Sequence, residues 1–213
     1  MSSLIRKTFP VPPLFCNCSI VGDTETKQAV VIDPGGNPER ILEEIESLDL
    51  KVCAILHTHA HLDHFLASGY IKSATGAPLC LHPKDEDLWN MLEIQCQMFG
   101  VPYVAVPQPD QWLSDDEVLN VGSYTGRVIH TPGHTPGSAC FYFEDQGLLF
   151  SGDTLFRGGI GRTDLWGGDG RAITRSIRER LYSLKEDTLV IPGHGGESSI
   201  GWEREHNMFV SSS

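Results

Sequence analysis

Apolar and polar positions follow two rhythms along this chain, one of period two and one near 3.6. Phe15 to Val21 and Ala29 to Asp33 read as strands, with Leu14, Cys16, Cys18 and Ile20 on one face. Pro34-Gly35-Gly36 then makes a turn. Asn37 is placed to cap a helix with Pro38 at its first position, and Ile41, Leu42, Ile45 and Leu48 recur at helical spacing behind it. Lys51 to Leu56 is a short apolar strand that ends where a histidine-rich segment begins. Helical patterning covers about Phe65 to Ala74 and Lys84 to Met98, with a strand at Pro78 to His82 between them. The second half repeats this logic. Tyr124 to Ile129 is a strand, and Ala139 to Phe143 with Leu148 to Phe150 forms a hairpin around Asp145-Gln146-Gly147. Gly158 to Gly170 is a glycine-rich loop, Arg171 to Leu184 is helical, and Thr188 to Ile191 is a last strand. Strands interleaved with helices in two halves predict a layered α/β architecture.

The length of 213 residues suits one domain spanning 1–213. A formal net charge of −12 repels phosphate backbones and anionic lipid, so neither nucleic acid nor a membrane is expected as a partner. No apolar run approaches the ~18 residues that span a bilayer. Met1 to Pro13 lacks the pattern of a secretory signal, so a cytoplasmic location is expected. Cys16, Cys18, Cys53, Cys80, Cys96 and Cys140 lie scattered in apolar stretches and read as reduced, mostly core residues. The spacing Cys16-Asn17-Cys18 is not that of a metal or redox motif.

The chemistry concentrates in Thr58-His59-Ala60-His61-Leu62-Asp63-His64. Imidazole and carboxylate together suit divalent zinc, iron or manganese. In an extended segment His59 and His61 point to one side, while the adjacent Asp63 and His64 reach another way, so one loop serves two ions. A closed structural zinc site would favour cysteines, which this cluster lacks. Three further candidates, His134, Asp153 and His194, each follow a predicted strand and lie beside glycine.

On these residues the chain resembles the metallo-β-lactamase-fold hydrolases. HAHLDH matches their HxHxDH signature, and TPGHTPG, SGDTLF and IPGHG match their later motifs in order. The resemblance implies an α/β (α+β) four-layer αββα sandwich with a two-metal site at one edge. It implies His59, His61 and His134 on the first ion, Asp63, His64 and His194 on the second, and Asp153 bridging both. Two divalent ions, zinc first with iron or manganese as alternatives, would share a hydroxide nucleophile at neutral pH. Asp63 would be both ligand and orienter of that hydroxide, and neither Ser138 nor Ser151 is needed as a nucleophile.

Within the superfamily, SGDTLF, the loop Gly158 to Asp164 (GGIGRTD), Gly168-Asp169 and the tail Glu203-Arg204-Glu205-His206-Asn207 are similar to short glyoxalase II-like hydrolases. That likeness implies hydrolysis of a small-molecule thioester such as S-D-lactoylglutathione. Arg162 stands where those enzymes carry a lysine that contacts glutathione, and Arg157 is a second candidate. Only nineteen residues follow His194, so the C-terminal helical glutathione-binding domain of longer relatives is expected to be absent. A mononuclear-iron persulfide dioxygenase shares the GRTD loop, but IPGHG favours the hydrolase. A non-enzymatic metal-binding protein on this scaffold would have lost ligands, whereas all seven positions are filled. Oligomeric state is not legible. His57 and His130 precede ligand motifs, where packing is the simpler reading, and Trp166 is a candidate to line the pocket.

Overall fold

The computed structural model describes residues 3–210. Fourteen strands follow one another: β1 Leu4–Val11, β2 Cys16–Asp23, β3 Gln28–Ile32, β4 Lys51–Leu56, β5 Leu79–Leu81, β6 Gln111–Trp112, β7 Val118–Val121, β8 Tyr124–His130, β9 Ala139–Phe143, β10 Leu148–Gly152, β11 Leu155–Phe156, β12 Gly159–Ile160, β13 Leu189–Pro192 and β14 Ser198–Ser199. The helices are α1 Pro38–Ser47, α2 Leu62–Phe65, α3 Ser68–Thr75, α4 Glu86–Asn90, α5 Leu92–Phe99, α6 Gly170–Arg175 and α7 Ile200–His206. One sheet has the order β1-β2-β3-β4-β5-β6 and the other β14-β13-β10-β9-β8-β7, while β11 and β12 pair as a small ribbon.

Strand alternation sorts the side chains into layers. Along β9, Ala139, Phe141 and Phe143 join the cluster shared with Val30, Ile32 and Leu56 of the first sheet. The intervening Cys140 and Tyr142 join Ile173, Ile177 and Ile200 on the outer side. Val31, Ile55 and Leu79 face the opposite way, onto Ile41, Ile45, Ile71 and Leu92 of the helices. This is the αββα sandwich expected from the sequence. Burial of each large core side chain contributes ~1.5–3 kcal/mol. Among the described residues no helix is long and apolar enough to cross a membrane.

Several expectations are corrected. Asn37 occupies the cap position with a left-handed backbone (φ 50°) and its side chain makes no capping bond. The helix expected over Lys84 to Met98 is a 3₁₀ turn, Pro83–Asp85, followed by α4 and α5, with Met91 between the two helices. Phe65 to Ala74 likewise divides between α2 and α3. Strand β1 has mixed burial with no clean alternation, which hid it in the sequence. Beyond Arg175 the expected helix widens into a π-helical turn, Ser176–Leu181. Asp169 starts α6 by accepting from the backbone N–H of Arg171 and Ala172.

Candidate metal centre

The candidate residues arrive at one edge from both sheets. His59 and His61 follow β4, His134 follows β8, Asp153 follows β10 and His194 follows β13. The histidine motif is not one extended loop throughout. His61 keeps an extended backbone, while Asp63 and His64 lie on the helical turn α2. That turn still separates them from the His59–His61 pair, so the two sets diverge as the spacing required.

The first set is a triangle of ring nitrogens. His59 Nε2 lies 3.1 Å from His61 Nδ1, His61 Nδ1 lies 2.9 Å from His134 Nε2, and His134 Nε2 lies 3.2 Å from His59 Nε2. In the second set, Asp63 Oδ2 stands 3.1 Å from His194 Nε2 and 3.7 Å from His64 Nε2. Asp153 reaches both sets. Its Oδ1 is 3.4 Å from His64 Nε2, and its Oδ2 is 3.6 Å from His134 Nε2 and 3.8 Å from His194 Nε2. A Cβ on Gly193 would stand 2.2 Å from Asp153 Oδ1, so only glycine lets these strands approach.

Bonds behind the rings decide what can fill the centre. Thr58 Oγ1 donates to Asp33 Oδ2 (2.6 Å), so it accepts from His59 Nδ1 at 3.1 Å. His134 Nδ1 donates to the Arg162 carbonyl at 2.8 Å, and His64 Nδ1 donates to Asp33 Oδ2 at 3.0 Å. Each such proton leaves the inward Nε2 with a bare lone pair. The His59–His134 edge therefore carries no hydrogen bond, and His61 alone has a proton to donate within the triangle. His64 Nε2 and Asp153 Oδ1 are buried with no hydrogen-bond partner at all. Imidazole nitrogens and carboxylate oxygens converging on one space, with His59, His64 and His134 pinned by bonds at their outer nitrogens, fit divalent metal ions.

Electrostatics separate the two sets. Burial and the neighbouring imidazoles push His59 well below its ordinary value and His61 down to about 3, and burial also lowers His134. These rings are neutral at pH 7. Burial alone would lower His64, but Cys16, Asp153, Asp63 and Asp33 together raise it well above its usual range. His194 is raised too, against its burial, by its bond to Asp63 and by Asp153. Asp63 is held below the usual carboxylate range, because His64 and His194 outweigh the burial that opposes them.

The sequence reading missed Asp33, Thr58 and Cys16. Asp33 follows the last residue of β3 in a left-handed backbone (φ 53°), where the sequence pattern reads it as the end of the strand. That non-glycine aspartate before Pro-Gly-Gly was the available signal. Cys16 does lie on the buried face of β2, and its Sγ is also 3.4 Å from His64 Nδ1. His57, His82 and His130 pack, and exposed His206 stacks on Trp202. His57 bonds the Cys80 carbonyl and Ser68 Oγ, and His130 donates to the Pro136 carbonyl and stacks on His82. Ser138 bonds Thr135, and Ser151 bonds the Leu155 carbonyl. Trp166 packs against the helix-side core.

The exposed Arg162 side chain pairs in two parallel bonds of 2.7 Å with Asp164. Arg157 lies over the Trp202 ring, 5.9 Å from its centre. The tail holds the glycine-rich loop in place, since buried Glu203 accepts from Gly158 N–H, Ser198 Oγ and Asn207 Nδ2. Phe156 borders His194, with ring centres 6.4 Å apart.

The family model of the metallo-β-lactamase superfamily matches residues 11–194. The chain belongs to the metallo-β-lactamase superfamily. It is a hydrolase of that superfamily by kinship, with the superfamily's sandwich and a donor cluster able to bind metal. Hydroxyacylglutathione hydrolase GloC of Haemophilus influenzae is 40% identical over 205 residues, covering 95% of this chain and 96% of that protein. The BLEG-1 B3 metallo-β-lactamase superposes with a TM-score of 0.90 at 37% identity, over 97% of this chain and 99% of that one. TTHA1623 in a di-iron-bound form gives 0.88 at 36% identity, over 96% of this chain and all of the other.

Proposed function

We propose that this protein hydrolyses a small-molecule thioester, S-D-lactoylglutathione being the first candidate, at a two-metal centre. The observation that carries the reading is Asp153, whose two oxygens lie within 3.4–3.8 Å of ring nitrogens from both donor sets. Two divalent ions, when bound, supply Lewis acidity toward the carbonyl and a hydroxide nucleophile at neutral pH. His59, His61 and His134 would hold the first ion, Asp63, His64 and His194 the second, and Asp153 would serve both. Asp63, an ionised carboxylate facing the same space as His194, would also orient the nucleophile. A thioester suits such a site because its thiolate departs readily without a protein acid to protonate it.

Arg162 is the proposed contact for an anionic leaving half. Asp164 engages its Nε and one Nη2 bond, which leaves further N–H groups free to meet a carboxylate. The likeness to GloC supports the glutathione thioester over other acyl thiols.

Elemental analysis paired with an S-D-lactoylglutathione assay tests the proposal. Two zinc, iron or manganese ions per chain with thioester cleavage are expected. One iron per chain with oxygen uptake on glutathione persulfide would replace this reading with a dioxygenase. A metal-loaded protein inert toward thioesters, lactones and persulfides would make it a metal-binding protein without this chemistry.

A further inference from the structure

Ala60 separates two proposed ligands, and its backbone is gripped from both sides by side chains of two other elements, the 3₁₀ turn Pro83–Asp85 and α5. Its N–H donates to Asp85 Oδ2 at 2.9 Å, and its C=O accepts from Gln95 Nε2 at 3.0 Å. Gln95 Oε1 also accepts from the Leu62 N–H at 2.9 Å, just past His61. Its amide is anchored in turn to the Leu88 carbonyl at 2.8 Å. Asp85 reaches across to the loop that carries His134. It accepts from Thr135 Oγ1 at 2.7 Å through Oδ2 and from the Gly137 N–H at 2.5 Å through Oδ1. Both side chains are fully buried. A Cβ on Gly137 would stand 2.7 Å from the Asp85 carboxyl, so the loop is shaped around that group.

We propose that Asp85, seconded by Gln95, is a positioning residue for the first donor set, holding the His59–His61 turn and the His134 loop at the spacing one divalent ion requires. The brace rests on the metal reading of the centre proposed above. His59 and His134 are oriented from behind by Thr58 and by the Arg162 carbonyl, but His61 Nε2 is buried with no partner. His61 therefore depends on its backbone for direction, and Asp85 and Gln95 supply that constraint through Ala60 and Leu62. The choice of residue supports the assignment. A carboxylate offers only acceptors to the three donors around it, whereas an asparagine would turn an N–H toward one of them. Burial pushes this carboxyl up to about 6, so at neutral pH its charge is kept in place against a desolvation cost.

The test compares metal-free wild type with Asp85→Asn and with the milder Thr135→Val, which leaves two of the three bonds. Zinc is titrated calorimetrically, and cobalt is followed through its visible absorption. Asp85→Asn is expected to weaken one of two equivalents about 10–100-fold and to leave the other unchanged. Thr135→Val should weaken the same equivalent by less, and it carries the test if Asp85→Asn does not fold. In a His194→Ala background, which removes a donor of the second set, the weakened equivalent is the one that remains. Two equivalents at wild-type affinity in both variants, or a parallel weakening of both equivalents, would overturn the brace while leaving the two-metal reading intact. A wild type that takes up no metal would instead refute the proposed function, and the brace with it.

Discussion

His59, His61 and His134 form an all-imidazole set sealed in the interior, whereas Asp63, His64 and His194 mix a carboxylate with two rings, and His194 is 31% exposed. The first set is neutral at pH 7 and firmly held, by Thr58 behind His59, a main-chain carbonyl behind His134 and Ala60 clamped between His59 and His61. The second carries negative charge, raises its rings' affinity for protons and opens toward solvent. In the proposed function the first set would hold an ion, and the second would hold an ion and present it to a substrate. Asp33 stands behind both, touching His64 directly and His59 through Thr58.

The largest effect is expected where the two sets meet. Asp153→Ala removes the one carboxylate close to rings of both, so metal content should fall well below two per chain and thioester cleavage should drop by more than the roughly 10–100-fold typical of an outer partner. Elemental analysis after dialysis checks this. Retention of two tightly bound ions would show the sets to be independent. Asp33→Asn comes next. It keeps the shape of the group but weakens the bond that orients His64 and the Thr58 link to His59. A loss of about 10–100-fold in activity is expected, with both equivalents weakened in a zinc titration. Loss of only the second equivalent would mean that Thr58 alone suffices behind His59.

The ligand candidates were legible because their chemistry is local. His59 through His64 lie within six residues, and His134, Asp153 and His194 each follow a strand whose apolar run can be read directly. The sandwich was legible for the same reason, since period-two runs such as Ala139 to Phe143 announce two faces. Supporting residues were not legible, because their roles exist only after the layers close. Asp33 meets His64 across 31 positions, and Asp85 meets Gly137 across 52. In sequence Asp85 and Gln95 look like ordinary polar positions of one helix. The breaks at Asp85 and Met91 that turn them inward follow from tertiary bonds rather than from propensity. Strand β1 stayed hidden because its residues are half-buried on both faces.

Acidification offers a finer separation of the two sets. A ring must shed its proton to take a metal. His59, His61 and His134 all have lowered values, so protons compete less there than at an ordinary imidazole. His64 and His194 have raised values, so they hold protons as pH falls through the neutral range. Zinc affinity of the second equivalent should fall about tenfold per pH unit for each proton displaced, while the first equivalent stays nearly constant. Titrations at pH 6, 7 and 8 check the sign. A parallel fall of both equivalents would erase the contrast.

The smallest effect separates the two services of Arg162. Its main-chain carbonyl orients His134, and any residue at this position keeps that bond. Its side chain stands in solvent, tied to Asp164, where salt screens it. Arg162→Ala should therefore leave both metal equivalents and kcat unchanged and raise KM for an anionic thioester up to about fivefold, as suits an exposed charge. The rise should shrink as ionic strength increases, and it should vanish for an acyl thiol lacking carboxylates. If Arg162→Ala instead lowers metal content, the guanidinium–Asp164 pair is shaping the loop behind His134, and the first set owes its rigidity to a surface ion pair as well as to the interior.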